Sequence, residues 1–243
     1  MKTCRVPVQK LIPEQIKSLY ALMDRYYTGM TFTHFETDLR EKDEVILLQL
    51  PDTTIVGFST VQKISIAVRG KKVLALFSGD TVLEKEYWGN GALGLAFGRY
   101  LMHTKMRNPL TPTYWFLISK GYKTYLLMTN NFPVHYPRFE KKTPTLTQET
   151  MNTFYSLRYP KGYDAAAGLI RIPQENVALK YDVAEIDTEK LLKYPRIRFF
   201  VDKNPQWQQG VELACIAQVD MTISLRYVVK RIKKIFTTKG SQK

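Results

Sequence analysis

The sequence predicts an α/β fold: a mixed, mostly antiparallel central sheet flanked by helices, with a helical C-terminal extension. Three observations lead there. Apolar residues recur at intervals of three and four over residues 13–27, at intervals of two over 44–83, and at three and four again over 92–106. A five-residue apolar run, Tyr114-Trp115-Phe116-Leu117-Ile118, then reads as a buried strand parallel to the one ending at Leu83, reached through the intervening helix. Finally, residues 223–236 place Val228, Val229, Ile232, Ile235 and Phe236 on one side of a helix and Arg226, Lys230, Arg231, Lys233 and Lys234 on the other.

The first helix begins at Pro13, whose fixed φ suits a first turn, and ends near Gly29. A shorter helix is expected over 35–40. Strands at 44–50, 55–68 and 73–83 are separated by Pro51-Asp52-Thr53-Thr54 and Arg69-Gly70-Lys71-Lys72, which is turn chemistry, so they form an antiparallel meander. A loop with two glycines, 84–91, opens the helix over 92–106, and Pro109 and Pro112 close it. Helices are expected at 121–128 and 148–157, a strand at 169–172, a helical turn or two at 188–192, and a last strand at 210–219.

Composition bounds the function. Hydrophobic residues make up 44% of the 243 and aromatics 12%, ample for a packed core, which excludes disorder. The net charge of +14 favours acidic partners such as phosphates, nucleic acid or anionic lipid. Half of that excess lies in residues 222–243, which hold seven basic side chains and no acidic one. Cys4 and Cys215 are far apart and His34, His103 and His135 are isolated, so no metal site is expected. Neither a GxSxG elbow nor a GxxxxGK[ST] loop occurs, which removes the corresponding hydrolase and NTPase readings. The N-terminus lacks the apolar run of a signal peptide, and a cytoplasmic protein is expected.

A strand that stops in a glycine-containing loop opening a helix offers backbone N–H groups and the positive helix end to a phosphate. Here the loop is Glu86-Tyr87-Trp88-Gly89-Asn90-Gly91. With the order helix, antiparallel meander, loop and helix, buried parallel strand, it resembles the Q/R-x-x-G-x-G/A loop of the GNAT acetyltransferase superfamily over residues 11–138, with Glu86 where the family has Gln or Arg. The resemblance implies that acetyl-CoA or another acyl-CoA is bound by Leu83, Tyr87, Trp88, Gly89, Asn90, Gly91 and Ala92, with Ser119 near the position of a family Asn. It also implies that the strands on either side of the helix splay to admit the pantetheine arm. Acyl transfer needs a base for the amine and a proton for the departing thiolate. Asp80, Glu84 and Glu86 are candidates for the first, with Glu84 preferred, and Tyr122 and Tyr125 for the second.

The resulting expectation is a GNAT-like core over 1–140, an extension over 141–221 that completes the sheet and covers the cleft, and a basic amphipathic helix over 222–243. The function expected is N-acyl transfer to a small-molecule or peptide amine. The alternative is a non-catalytic ligand-binding protein on the same scaffold. The basic tail docks its apolar stripe on the domain or meets an anionic membrane surface or acidic partner. Nucleic acid is disfavoured, since no recognised motif accompanies the charge.

Overall fold

The structure, a computed structural model, describes residues 1–172, 177–180, 183 and 185–221; the basic amphipathic helix expected over 222–243 lies outside them. Strand β1 (Lys2–Pro7) is followed by α1 (Pro13–Tyr26), β2 (Tyr27–Thr28) and α2 (Phe32–Arg40). Then come β3 (Glu44–Gln49), β4 (Ile55–Val68), β5 (Lys71–Ser78), β6 (Thr81–Leu83), α3 (Ala92–Arg107), β7 (Thr113–Ser119) and α4 (Tyr122–Asn131). The second half holds β8 (His135–Tyr136), α5 (Thr145–Arg158), β9 (Tyr163–Asp164), β10 (Leu169–Ile170), β11 (Ala178–Leu179), α6 (Thr188–Lys193), α7 (Pro195–Lys203) and β12 (Glu212–Gln218).

The main sheet runs β1-β3-β4-β5-β7-β12-β10-β9, with β6 continuing along β4 and β8 along β12. All of its pairings are antiparallel except β5 with β7, in register from Leu74↔Thr113 to Ser78↔Leu117. This is the mixed, mostly antiparallel sheet that the sequence predicts. β12 lies antiparallel on the far side of β7, from Leu213↔Ser119 to Gln218↔Tyr114.

Alternation along the strands divides the core between two helical layers. Ile46, Leu48, Trp115 and Leu117 pack with Leu93, Phe97 and Leu101 of α3, Tyr125 of α4 and Phe200 of α7. Their neighbours face the other way: Val45 and Leu47 meet α1 and α2, while Phe77 and Phe116 meet Phe154 and Tyr155 of α5. Phe116 stacks on Phe154 with ring centroids 4.0 Å apart.

Three differences from the sequence reading have physical causes. The hydroxyl of Thr31 accepts from His34 N at 3.2 Å, so α2 starts three residues before the expected Phe35. β1 was not expected: it is an edge strand with no residue buried, and so carries no period-two signal. The single strand expected over 73–83 is two strands, β5 and β6, because the ladder with β4 shifts by one residue between Gln62↔Phe77 and Ser59↔Thr81. That shift is a bulge at Gly79-Asp80. Its turn is pinned by Thr60 N donating to Asp80 O at 2.9 Å and by Asp80 N donating to Thr60 Oγ1 at 3.0 Å. A Cβ at residue 79 would come within 3.2 Å of Lys42 Cε and 3.3 Å of the Phe77 ring, which is why a glycine stands there.

Candidate active site

The bulge separates β6 from β7. β5 and β7 are bonded as far as Ser78 and Leu117, whereas β6 pairs only with β4, through Gly57↔Leu83, Phe58↔Val82 and Ser59↔Thr81. Asp80 O and Glu84 N both bond to β4, at 2.9 Å each. In an antiparallel ladder the direction alternates residue by residue, so the backbone groups of Thr81 and Leu83 point the other way, into the gap beside β7. The gap opens into a cavity of about 610 Å³ that reaches from Trp88 and Gly89 at one end to Asp38 and Arg158 at the other. Such a volume lies within the range that encloses small molecules.

The loop after β6 is held against the end of α1. Glu84 is ion-paired with Arg25 and accepts from the Tyr26 hydroxyl at 2.8 Å, and that hydroxyl accepts from Lys85 N at 2.8 Å. Glu84, the preferred base on sequence grounds, is therefore a loop anchor, committed to two partners. Tyr87 packs on the core, Glu86 is exposed, and the Trp88 indole N–H donates to Leu83 O at 2.8 Å. The Lys123 ammonium sits 3.9 Å from the centre of the Trp88 ring. Gly89 and Gly91 have φ of +81° and +76°, the left-handed region that glycine enters without strain. The Asn90 side chain accepts from Ala92 N at 2.8 Å, and Gly91 at the N-cap has no side chain to bond the amides that follow. Leu95 N already bonds to Gly91 O, so Leu93 and Gly94 are left with the N–H groups that a helix start offers to an anion.

The other sequence candidates are placed differently. Tyr122 and Tyr125 lie on the inward face of α4, and the residues of α4 that line the cavity are Lys123, Thr124 and Leu127. The Tyr125 hydroxyl donates to Pro137 O at 3.0 Å, its ring packs on Phe199 and Phe200, and burial raises its pKa. Ser119 is buried in the β7–β12 ladder and donates to Gly121 O at 2.9 Å. The helical period explains this: positions 122, 125 and 128 share one stripe, and the apolar neighbours in α7 claim it. Tyr122→Phe and Tyr125→Phe are expected to leave kcat within about twofold. Tyr125→Phe should cost about 0.5–1.5 kcal/mol in chemical denaturation, since the Pro137 carbonyl loses its donor. A hundredfold drop in kcat for either variant would return the proton-donor role to tyrosine.

Asp80 lines the cavity at the bulge. Its carboxyl is pushed up to about 7, first by burial, then by the negative charge of Asp38, with the Lys42 ammonium opposing. Tyr27 stands nearby, and burial, with the charges of Asp80 and Glu212, raises its phenol so that it stays protonated. Around them the charges are paired. Buried Lys42 donates to Asp38 Oδ1 at 2.6 Å and to Asp38 O at 3.0 Å. Arg158 reaches Asp38 at 3.3 Å and Glu41 at 2.6 Å, and Lys120 pairs with Glu212. Sequence reasoning weighed Asp80 but missed Tyr27, Lys42 and Glu212. Glu212 had no such signal: it stands on the parity opposite Leu213, Cys215 and Ala217, and only the fold shows that both faces of β12 are buried. Among the described residues no group of three His, Cys, Asp or Glu could hold a metal ion, and no helix is long and apolar enough to cross a membrane.

No family model matches the chain, and no curated protein does. Solved structures do match. A probable N-acyltransferase from Enterococcus faecalis is 13% identical with a TM-score of 0.38, aligned over 51% of this chain and 31% of its own. The GNAT family N-acetyltransferase YhbS from Escherichia coli, solved in complex with CoA, is 13% identical with a TM-score of 0.35, over 49% and 64%. An acetyltransferase from Trypanosoma brucei is 16% identical with a TM-score of 0.40, over 58% and 100%. The chain thus spans less than two thirds of the length of the first two. These likenesses stand beside the topology and add no argument to it. The chain's own strand order holds one parallel pair, β5 with β7, and β6 parts from β7 at the bulge.

Proposed function

We propose that this protein is an acyl-CoA-dependent N-acyltransferase, moving an acetyl or other acyl group from a CoA thioester to an amine. The observation that carries the proposal is the parting of β6 from β7 beside a helix start with Gly91 at its N-cap, because an extended chain bearing amides and ending in phosphates needs both. The residues present fit such a ligand: the backbone of Thr81 and Leu83 faces the gap, and Gly89 and Gly91 keep side chains off the entrance to α3. When bound, the thioester supplies an activated acyl carbon. Asp80 takes the proton from the attacking amine at the inner end of the gap, and the phenol of Tyr27 stays neutral as a donor beside it. The pairs Lys42–Asp38 and Lys120–Glu212 line the same cavity without adding a net charge.

The test is acetyl-CoA binding by calorimetry, with Gly89→Asp, Gly91→Asp and Gly89→Ala variants. Asp tolerates the left-handed region better than most residues, and a Cβ at 89 meets nothing within 4 Å, so the variants should fold. Micromolar binding that falls at least tenfold in both Asp variants, and little in Gly89→Ala, is the expected result. Absent binding in the native chain sinks the proposal. Binding without transfer to any amine would favour the non-catalytic alternative.

A further inference from the structure

The inner half of the cavity defines the kind of acceptor. Three cations line it, Lys42, Lys120 and Arg158, and each is engaged by carboxylates: Asp38 for Lys42, Glu212 for Lys120, Asp38 and Glu41 for Arg158. Asp80 is the remaining acid of that wall, and among the described residues it has no ion-pair partner of its own: its contacts are with the Thr60 hydroxyl, 3.5 Å from Oδ2, and with Asp38, and the one cation acting on it, Lys42, is bonded to Asp38. Among the described residues the inner half is therefore one positive charge short of balance whenever Asp80 is ionised. Lys123 lies at the opposite, cofactor side, over the Trp88 ring and bonded to Val183 O, and His34 lines the wall from α2. Apolar and aromatic side chains make much of the remaining lining, from Met23, Met30, Phe77, Tyr159, Ile172 and Leu179, beside the neutral Thr37, Ser78 and Thr81.

We infer that the acceptor is a small primary amine with an apolar body and no carboxylate of its own, its ammonium set against Asp80 and its body against Phe77, Tyr159 and Ile172. The inference rests on the acyltransferase reading for its consequence and on the cavity alone for its binding. An ammonium there supplies the missing charge and replaces water around a half-buried carboxylate, where a charge-assisted hydrogen bond is strong. A carboxylate on the same molecule meets cations already bonded to Asp38, Glu41 and Glu212, and must either break a buried pair or stay unpaired, and both are costly. Discrimination by such an uncompensated group is steeper than discrimination by size.

A matched set of probes tests this on the full chain without any CoA: 2-phenylethylamine, phenylalanine and 2-phenylethanol, measured by calorimetry at pH 8. The first two differ by one carboxylate, the first and third by the ammonium. The amine is expected to bind at least tenfold more tightly than either of the others, and Asp80→Asn is expected to remove that preference while acetyl-CoA affinity stays within about twofold. Equal or tighter binding of phenylalanine overturns the inference, and so does binding of none of the three. Amine preference in a chain that fails to bind acetyl-CoA would uphold the inference about the cavity and remove the acyltransferase reading, so the two can fail separately.

Discussion

Asp80→Asn is expected to lower kcat by about 10²–10⁴-fold while raising the melting temperature at pH 8. The two effects come from one cause. A carboxyl pushed up to about 7 in the folded protein, mainly by burial, is poised to accept a proton near neutrality, which is what a base for an amine requires. The same shift opposes folding. Between the ordinary aspartate pKa near 4 and the folded value of about 7, the native state holds more protons than the unfolded chain, so stability falls as pH rises through that window. Above it the full cost of a buried charge remains; below pH 4 none does. Asparagine carries no charge and should therefore gain stability over the native chain at pH 8, with the difference vanishing near pH 4. If the native chain transfers acyl groups as proposed, its kcat/KM should rise with pH up to about 7 along this ionisation. Melting curves and kinetics for both proteins at five pH values check it. A variant that is inactive and also less stable at pH 8 would mean that Asp80 holds the bulge together rather than serving as a base.

The largest stability loss is expected at Tyr155. Its hydroxyl lies fully buried between β7 and β12, 2.8 Å from Leu117 O and 2.6 Å from Cys215 O, and it accepts from Cys215 N at 3.1 Å. Leu117 and Cys215 are opposite each other in the ladder, so the phenol ties the two strands together at that pair. Burial drives its pKa well above the ordinary value, which keeps the proton on as a donor. Tyr155→Phe removes the one proton that the two carbonyls share and the acceptor of the Cys215 amide, and the expected loss is about 2–4 kcal/mol, or roughly 5–15 °C in melting temperature for a chain of this length. A loss under 1 kcal/mol in urea denaturation would show that the strands close up and re-form their own bonds.

How much of this was legible in the sequence depended on which residues made the signal. Periodicity found α1, β3, β4 and α3, because each buries a face or stripe long enough to count, and a continuous apolar run found β7. It also found the crossover, since Trp115, Phe116 and Leu117 are apolar on both sides of the sheet. The loop of Gly89 and Gly91 was readable because left-handed backbone is a local demand of glycine. The bulge was not. Residues 73–83 read as one strand because Ser78, Gly79 and Asp80 are too few to break the pattern, and what breaks the ladder is Thr60, on another strand. The site shared that fate: Lys42, Tyr27 and Glu212 reach it from α2's end, β2 and β12, and only the folded chain brings them together. Choosing Glu84 over Asp80 failed for the same reason, since the partners that occupy Glu84, Arg25 and Tyr26, stand some sixty residues earlier.

The bond from the Trp88 indole to Leu83 O gives the loop a placeholder. One of the backbone acceptors aimed into the gap is already occupied by an N–H of the protein itself, so a ligand amide laid along β6 takes that carbonyl by exchange, not by filling a vacancy. Entry of such a ligand turns the indole out of its place and away from the Lys123 ammonium. Trp88 is 37% exposed, whereas Trp115 is buried and bonded to Ser78 Oγ at 2.8 Å and Trp207 packs on Phe200 outside the cavity lining, so a change in fluorescence on titration is expected to belong chiefly to the side chain at the door. The protein thus carries its own occupancy gauge.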